Sequence, residues 1–92
     1  MKIGIGYDIH ALQNGDFITL GGVKISYDKG FIAHSDGDVL THALIDAILG
    51  ALNEHDIGYH FPDTDPKYKG ANSLELLKTI SNKFNFKIIN ID

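Results

Sequence analysis

AHSDGDVLTHALIDAILG, residues 33–50, is the stretch that decides the fold prediction. Ser35 precedes an apolar pattern at a position where a hydroxyl can cap the first N–H groups of a helix, and Gly50 is a typical stop signal. Apolar side chains recur between them at helical spacing and predict one buried stripe, formed by Val39, Leu40, Ala43, Leu44, Ala47 and Ile48. The segment therefore predicts an amphipathic helix.

A row of polar residues accompanies this stripe. Asp38, His42 and Asp46 are four positions apart, so they lie along one flank of the predicted helix. This flank borders the apolar stripe, so we expect a partly buried polar seam. His42 then has two interpretations, a metal ligand or a hydrogen-bonded histidine at the edge of the core.

Residues 2–10 alternate in character and predict a half-buried strand. One face carries Ile3, Ile5, Tyr7 and Ile9, and the other carries Gly4, Gly6, Asp8 and His10. Asp8 and His10 then point to the same side, with Cα atoms about 6 to 7 Å apart. This spacing allows the two side chains to grip one ion, although a solvated Asp and a surface His also fit the pattern.

The next segments predict a hairpin packed near the helix. Gly21 and Gly22 separate two short strand-like runs, residues 17–20 and 23–27, and predict a tight antiparallel turn. We expect this hairpin and the strand over residues 2–10 to belong to one sheet that carries the helix on a face.

The second half of the chain predicts a turn, a loop, another helix and a strand. Residues 56–58 form a turn signal, and residues 61–70, FPDTDPKYKG, predict an irregular loop of the kind that carries ligand contacts. Asn72 followed by Glu75 resembles a capping box and predicts an amphipathic helix, after which residues 84–92 alternate as in a strand. The fold class is therefore α+β, a mixed β-sheet with helices packed on one face.

Composition limits the function classes. The chain has 92 residues, 43% of them hydrophobic, which suits a single domain over residues 1–92. It has no cysteine, so a metal site must use histidine and carboxylate. A net charge of −4 with dispersed lysines argues against a nucleic-acid partner. No run approaches the roughly 20 apolar residues of a membrane span, and residues 2–10 do not resemble a targeting peptide, so we expect a cytoplasmic protein without a membrane partner.

Asp8, His10 and His42 together match the ligand count of a catalytic zinc site with an open fourth position. The same trio suits ferrous iron. A zinc phosphoesterase or a ferrous oxygenase is therefore an alternative function, although no base that would activate water is evident.

Several ordered motifs resemble a known family. GYDIH from Gly6, AHSDGDV from Ala33, DIG from Asp56 and FPDTDPKYKGANS from Phe61 together closely resemble the 2-C-methyl-D-erythritol 2,4-cyclodiphosphate synthases of non-mevalonate isoprenoid biosynthesis. The resemblance covers residues 1–92. It implies a lyase that converts 4-diphosphocytidyl-2-C-methyl-D-erythritol 2-phosphate to the cyclic diphosphate and CMP.

The resemblance also implies roles for individual residues. Asp8, His10 and His42 would bind zinc or another divalent cation, and Asp8 and His10 would also lie at the substrate. His34 would assist the transition state, and with Ser35 it would meet the substrate phosphates. Asp46 would contact or support the substrate with its carboxylate. The residues implied to hold the methylerythritol part are Asp56, Ile57, Gly58, Phe61, Pro62, Asp63, Thr64 and Asp65.

The family resemblance implies further components of the enzyme. Magnesium or manganese would accompany the substrate diphosphate, and a complete chain would form a homotrimer with active sites at subunit interfaces. The family continues beyond the IINID strand, residues 88–92, with the cytidine pocket and a Glu that binds magnesium, so the resemblance predicts a C-terminally truncated domain. The alternative to an active synthase is an inactive zinc- and phosphate-binding fragment.

Overall fold

Four short strands precede the helices in the computed structural model, which describes residues 1–92. The elements in chain order are β1 (Leu12–Asn14), β2 (Phe17–Leu20), β3 (Val23–Ser26), β4 (Lys29–Phe31), α1 (Val39–Leu52), α2 (Ile57–His60), a 3₁₀ turn (Pro66–Tyr68) and α3 (Ser73–Lys83). This separation of strands and helices confirms the α+β class. None of the helices combines the length and apolar character that crossing a bilayer requires.

The strands form two antiparallel pairs. β2 pairs with β3, with Leu20 opposite Val23, and β1 pairs with β4, with Leu12 opposite Phe31. Gly21 and Gly22 connect β2 to β3 with φ angles of 59° and 80°, which is the conformation that a two-residue hairpin turn demands. The predicted hairpin is confirmed, and its second strand ends at Ser26.

One predicted feature of the sheet is wrong. Residues 2–10 and 84–92 are not strands, and the chain has two separate antiparallel pairs rather than one mixed sheet. The physical reason is that a strand needs a hydrogen-bonded neighbour, and no other segment of this chain pairs with either stretch.

The alternation of residues 2–10 is nevertheless real, and glycine faces the helix. A Cβ atom on Gly4 would lie 1.9 Å from the Ala47 carbonyl oxygen, and one on Gly6 would lie 1.7 Å from that of Ala43. Ile3 and Ile5 point away and are each 89% exposed. The two glycines thus allow the backbone of this segment to lie directly against α1.

The core lies between α1 and α3. Its buried apolar residues are Ile45, Ile48, Leu49, Leu76 and Ile80. The predicted stripe is partly wrong, since Leu40 is 54% exposed while Ile45 and Leu49 are fully buried. Helical periodicity gives a face but not its centre, and here α3 covers the face centred on Ile45 and Leu49.

Both predicted ends of the first helix are corrected. Asp38, not Ser35, caps α1 by accepting a hydrogen bond of 3.0 Å from the Thr41 N–H. The helix continues through Gly50 and stops after Leu52, where Asn53 adopts a left-handed φ of 57°. Asparagine tolerates this conformation better than most residues, so it replaces glycine as the terminator.

The remaining elements confirm one prediction and correct two. Asn72 caps α3 by accepting from the Leu74 N–H at 2.9 Å, as predicted. Residues 56–58 are the cap and first residues of α2 rather than a turn, because the Asp56 carboxylate accepts from the Tyr59 N–H at 2.8 Å. The loop over residues 61–70 also contains a 3₁₀ turn, capped by Asp65.

Candidate metal centre

Asp8, His10 and His42 lie together, each offering one ligand atom within 4.8 Å of the others. Asp8 Oδ2 is 3.1 Å from His10 Nε2 and 3.2 Å from His42 Nδ1. Asp8 and His10 are half-buried, and His42 is buried. The sequence prediction that these three side chains meet is therefore confirmed.

Local backbone geometry explains why they meet. Gly4 and Gly6 let residues 2–10 lie against α1, and the period of two along this run directs Asp8 and His10 to the same side as the glycines. His42 lies in the first turn of α1, just after its cap. A bulkier residue at position 6 would push Asp8 away from His42, because the Ala43 carbonyl occupies the space.

The donor set fits a divalent cation. His10 Nδ1 donates to the Gly37 carbonyl oxygen at 3.1 Å, which leaves Nε2, 3.1 Å from Asp8 Oδ2, as the nitrogen that a cation bound by Asp8 would meet. Two imidazole nitrogens and one carboxylate oxygen form a donor set that suits zinc and other first-row divalent ions. The fit rests on these donor atoms and their convergence.

Ser35 lies beside the cluster. Its hydroxyl oxygen is 3.2 Å from His42 Nε2 and accepts a hydrogen bond of 3.3 Å from the Gly37 N–H. These contacts explain why Ser35 does not cap α1. Both can be made with the oxygen as acceptor, which leaves the O–H proton free to donate.

His34 joins the predicted substrate loop to this region. Its Nε2 lies 2.9 Å from the Asp65 carbonyl oxygen, and its own carbonyl accepts from the Gly70 N–H at 2.6 Å. Because a carbonyl only accepts, Nε2 carries the proton, and Nδ1 of the neutral ring is an acceptor. The structure thus places His34 against the loop over residues 61–70.

Asp46 links α1 to α2. Asp46 lies on α1 one helical turn beyond His42. Its carboxylate accepts a hydrogen bond of 2.8 Å from the Ile57 N–H and so fixes the start of α2. Burial raises the pKa of Asp46, and repulsion from Asp56 and Asp8 adds to the rise, whereas the Ile57 N–H and His42 oppose it. Asp46 therefore supports the segment over residues 56–58 through a direct contact.

The other predicted substrate residues differ in exposure. Phe61 and Pro62 are half-buried, and Phe61 packs edge-on against Tyr68 with ring centroids 5.4 Å apart. Asp63 and Thr64 are exposed, as is Gly58, and Ile57 is half-buried. No hydrogen bond or ion pair joins Asp63 or Thr64 to the Asp8, His10 and His42 side chains, so their predicted role stays a prediction.

Sequence reasoning missed two residues at the centre. The Ser73 hydroxyl lies 2.7 Å from His42 Nε2, and Asp36 accepts from Ser73. Neither position carries a sequence signal for this contact, because Asp36 lies in an irregular loop and Ser73 reads only as the first residue of a helix. The capping role of Asp38, in contrast, had a signal in its place directly before Val39.

Comparison with known proteins identifies the family. The model of the YgbB family matches residues 1–92, which is the whole chain. The chain belongs to the YgbB family. A 2-C-methyl-D-erythritol 2,4-cyclodiphosphate synthase from Halothermothrix orenii is 59% identical over 95 residues, covering 100% of this chain and 58% of that protein. The predicted resemblance to this family is thus confirmed.

Two solved structures share the fold. The bifunctional IspDF from Campylobacter jejuni matches with a TM-score of 0.81 and 51% identity, over 89% of this chain and 22% of that one. A structure of 2C-methyl-D-erythritol-2,4-cyclodiphosphate synthase matches with a TM-score of 0.74 and 43% identity, over 89% of this chain and 57% of that one. Among the curated relatives, this YgbB-family chain spans a little under three fifths of the length of the H. orenii synthase.

Proposed function

We propose that this protein acts as a 2-C-methyl-D-erythritol 2,4-cyclodiphosphate synthase in non-mevalonate isoprenoid biosynthesis. The observation that carries the proposal is the convergence of Asp8, His10 and His42 in a chain of the YgbB family. In the proposed reaction an oxygen of the substrate 2-phosphate bonds to the β-phosphorus. The bond from this phosphorus to the oxygen of the α-phosphate breaks, and CMP leaves with that oxygen.

The proposed metal ligands are Asp8, His10 and His42, with zinc as the ion. When bound, the ion supplies positive charge that offsets repulsion between substrate phosphates in a chain whose own net charge is −4. Magnesium or manganese is proposed to accompany the substrate diphosphate. The role of the three side chains is to hold charge at one fixed place, since phosphoryl transfer depends mainly on positioning and electrostatics.

Ser35 and His34 are proposed to bind the substrate phosphates. The Ser35 oxygen already accepts from the Gly37 N–H, so its proton is available to a phosphate oxygen. His34 holds the Asp65 carbonyl with Nε2–H, so it can donate to a phosphate from Nδ1 only as imidazolium. A protonated His34 would thereby stabilise developing negative charge while it keeps the loop in place.

The segments over residues 56–58 and 61–65 are proposed to hold the methylerythritol part. Asp56 and Asp63 are exposed carboxylates that can accept hydrogen bonds from hydroxyl groups, and Phe61 and Pro62 offer apolar surface. Asp46 supports this arrangement because it fixes the Ile57 N–H. The remaining proposed contacts are Ile57, Gly58, Thr64 and Asp65.

We also propose a homotrimer in the cytoplasm, with residues 1–92 forming part of each subunit's domain. The exposed apolar row of Ile3, Ile5, Tyr7 and Ile9 supports a covering partner, since apolar patches of this kind mark interaction surfaces. Sedimentation equilibrium tests the trimer, and a monomer across the accessible concentration range would contradict it.

The decisive experiment is CMP release from the diphosphocytidyl substrate with zinc and magnesium supplied. We expect turnover that disappears in Asp8→Ala and persists in Asp28→Ala, which removes an exposed carboxylate from a turn outside the cluster. Equal turnover in Asp8→Ala and the unsubstituted protein would refute the assigned site.

A second candidate is a zinc- and phosphate-binding protein without turnover. It is favoured by the convergence of Asp8, His10 and His42, which by itself requires only that a cation binds. Zinc binding that requires Asp8, with no CMP release, would support it. No observation favours the phosphoesterase or the oxygenase.

A further inference from the structure

We infer that Asp36 and Ser73 are positioning residues that orient the His42 ring for the metal. The inference rests on the proposed metal centre and extends it to two residues outside the ligand set. Neither residue belongs to the ligand trio. Ser73 contacts Nε2 of His42 and Asp36 contacts Ser73, whereas Asp8 lies at Nδ1 on the other side of the ring.

Three side chains form a continuous hydrogen-bonded row. The His42 Nε2 atom lies 2.7 Å from Ser73 Oγ, and Ser73 Oγ lies 2.5 Å from Asp36 Oδ1. Two oxygens this close need a proton between them, and the Ser73 hydroxyl supplies it, because an ionised carboxylate can only accept. The single proton of Ser73 is thus committed to Asp36.

This commitment decides the tautomer of His42. With its proton on Asp36, the Ser73 oxygen faces His42 Nε2 as an acceptor at 2.7 Å. Asp8 Oδ2 also only accepts and lies 3.2 Å from Nδ1, so the single proton of a neutral ring goes to the shorter contact, at Nε2. Nδ1 is then left for a cation that Asp8 also binds. Neutral His42 is therefore held in the form that a metal ion requires.

Burial makes the row rigid. Ser73 is completely buried, and Asp36 is held by further donors, the Asp38 N–H at 3.1 Å and the Ser73 N–H at 2.9 Å. The Asp36 N–H in turn donates to the Ala71 carbonyl at 2.9 Å. Side chains that are fixed in this way and shielded from water orient a ligand more strongly than a mobile surface contact does.

Ser35 does not orient His42 in the way that Ser73 and Asp36 do. Its oxygen is 3.2 Å from His42 Nε2, compared with 2.7 Å for Ser73, and it is not linked to a carboxylate in the structure. A carboxylate behind a metal-binding histidine fixes the ring and raises its basicity, and loss of such partners weakens metal affinity about 10- to 100-fold. Ser73 connects His42 to a carboxylate in this manner.

The first measurement is the tautomer of His42 in the metal-free protein, read from imidazole ¹⁵N shifts at a pH where the ring is neutral. We expect the proton on Nε2. In Ser73→Ala we expect a mixture of tautomers and zinc affinity about 10- to 100-fold weaker, measured by competition with a chromophoric chelator. The matched control is Ser81→Ala, which removes an exposed serine from the same helix and should bind zinc like the unsubstituted protein.

A proton on Nδ1 of His42 would overturn the inference, as would equal zinc affinity in Ser73→Ala and Ser81→Ala. If Ser73→Ala does not fold, the tautomer of the unsubstituted protein and the zinc affinity of Asp36→Asn decide. Zinc binding with no CMP release would refute the proposed synthase activity and leave this inference standing. A proton on Nδ1 of His42 together with CMP release would refute this inference and leave the proposed synthase activity standing.

Discussion

Replacing Asp38 with alanine tests how the hairpin is joined to the first helix. The Asp38 side chain is completely buried and accepts three backbone hydrogen bonds, from Gly21 at 2.8 Å, Gly22 at 2.7 Å and Thr41 at 3.0 Å. Two of these donors lie in the turn between β2 and β3, and the third lies in the first turn of α1. One carboxylate therefore connects two parts of the fold.

The expected loss in the free energy of unfolding follows from these three hydrogen bonds. Loss of a helix cap costs about 1 kcal/mol, and each glycine N–H left without its charged partner costs about 1 to 1.5 kcal/mol, since water partly reaches an exposed turn. We expect Asp38→Ala to lower the free energy of unfolding by about 3 to 4 kcal/mol, out of roughly 5 to 14 kcal/mol for a domain of this size.

Asp38→Asn should have a smaller effect. The Oδ1 atom accepts from both Gly21 and Thr41, and the asparagine carbonyl can keep these bonds, whereas its NH₂ group would face the Gly22 N–H. We expect a loss of about 1 to 2 kcal/mol. Urea unfolding followed by far-UV circular dichroism measures both variants, with Asp28→Ala as an exposed control that should shift by about 0.5 kcal/mol or less. A loss below about 1 kcal/mol in Asp38→Ala, with an unchanged urea dependence, would refute the reasoning.

Two further predictions concern acid stability and the glycines against α1. Burial alone would raise the pKa of Asp38, but the N–H groups of Thr41, Gly21 and Gly22 outweigh it and lower the pKa below its ordinary value of 3.8. The stabilisation is therefore present above that value and is lost as the pH falls through the lowered pKa, so urea midpoints measured down to acid pH should fall less steeply in Asp38→Ala. A parallel acid decline in both proteins would contradict this. Gly6→Ala should weaken zinc binding, because the new Cβ would lie 1.7 Å from the Ala43 carbonyl oxygen and displace the run that carries Asp8. Gly50→Ala is its control, since the new Cβ would lie 3.9 Å from its neighbour, and it should stabilise α1 by about 0.5 to 1 kcal/mol. Chelator competition and urea unfolding measure the pair, and equal zinc affinities would refute the steric argument.

Local signals were sufficient for part of the structure. The two glycines between β2 and β3 require positive φ angles, and Asn72 caps α3, so each element follows from a few adjacent residues. The pairing of Asp8 with His10 was also predictable, because a period of two places both side chains on one side of the run. These patterns depend on near neighbours in the chain, whereas His42 was assigned to the same site from its residue type and the family resemblance.

Other features depend on which distant segments meet, and local patterns do not specify this. The alternation over residues 2–10 is present in the structure, but a strand also needs a partner, and no segment of the chain pairs with it. The contact of Asp36 with Ser73 joins positions 37 apart, and that of Ser73 with His42 joins positions 31 apart. No periodicity reports such contacts, so the orientation of His42 was not predictable.

Two carboxylates in the short loop before α1, those of Asp36 and Asp38, have different roles. Asp38 joins the helix to the hairpin, while Asp36 joins Ser73 to the His42 ring, and Gly37 between them offers its carbonyl to His10. The helix sets where His42 lies, and the loop sets which ring nitrogen faces Asp8. Loss of Asp38 should therefore reduce folding stability, whereas loss of the Ser73 hydroxyl should reduce metal affinity, so two carboxylates only two residues apart control different properties.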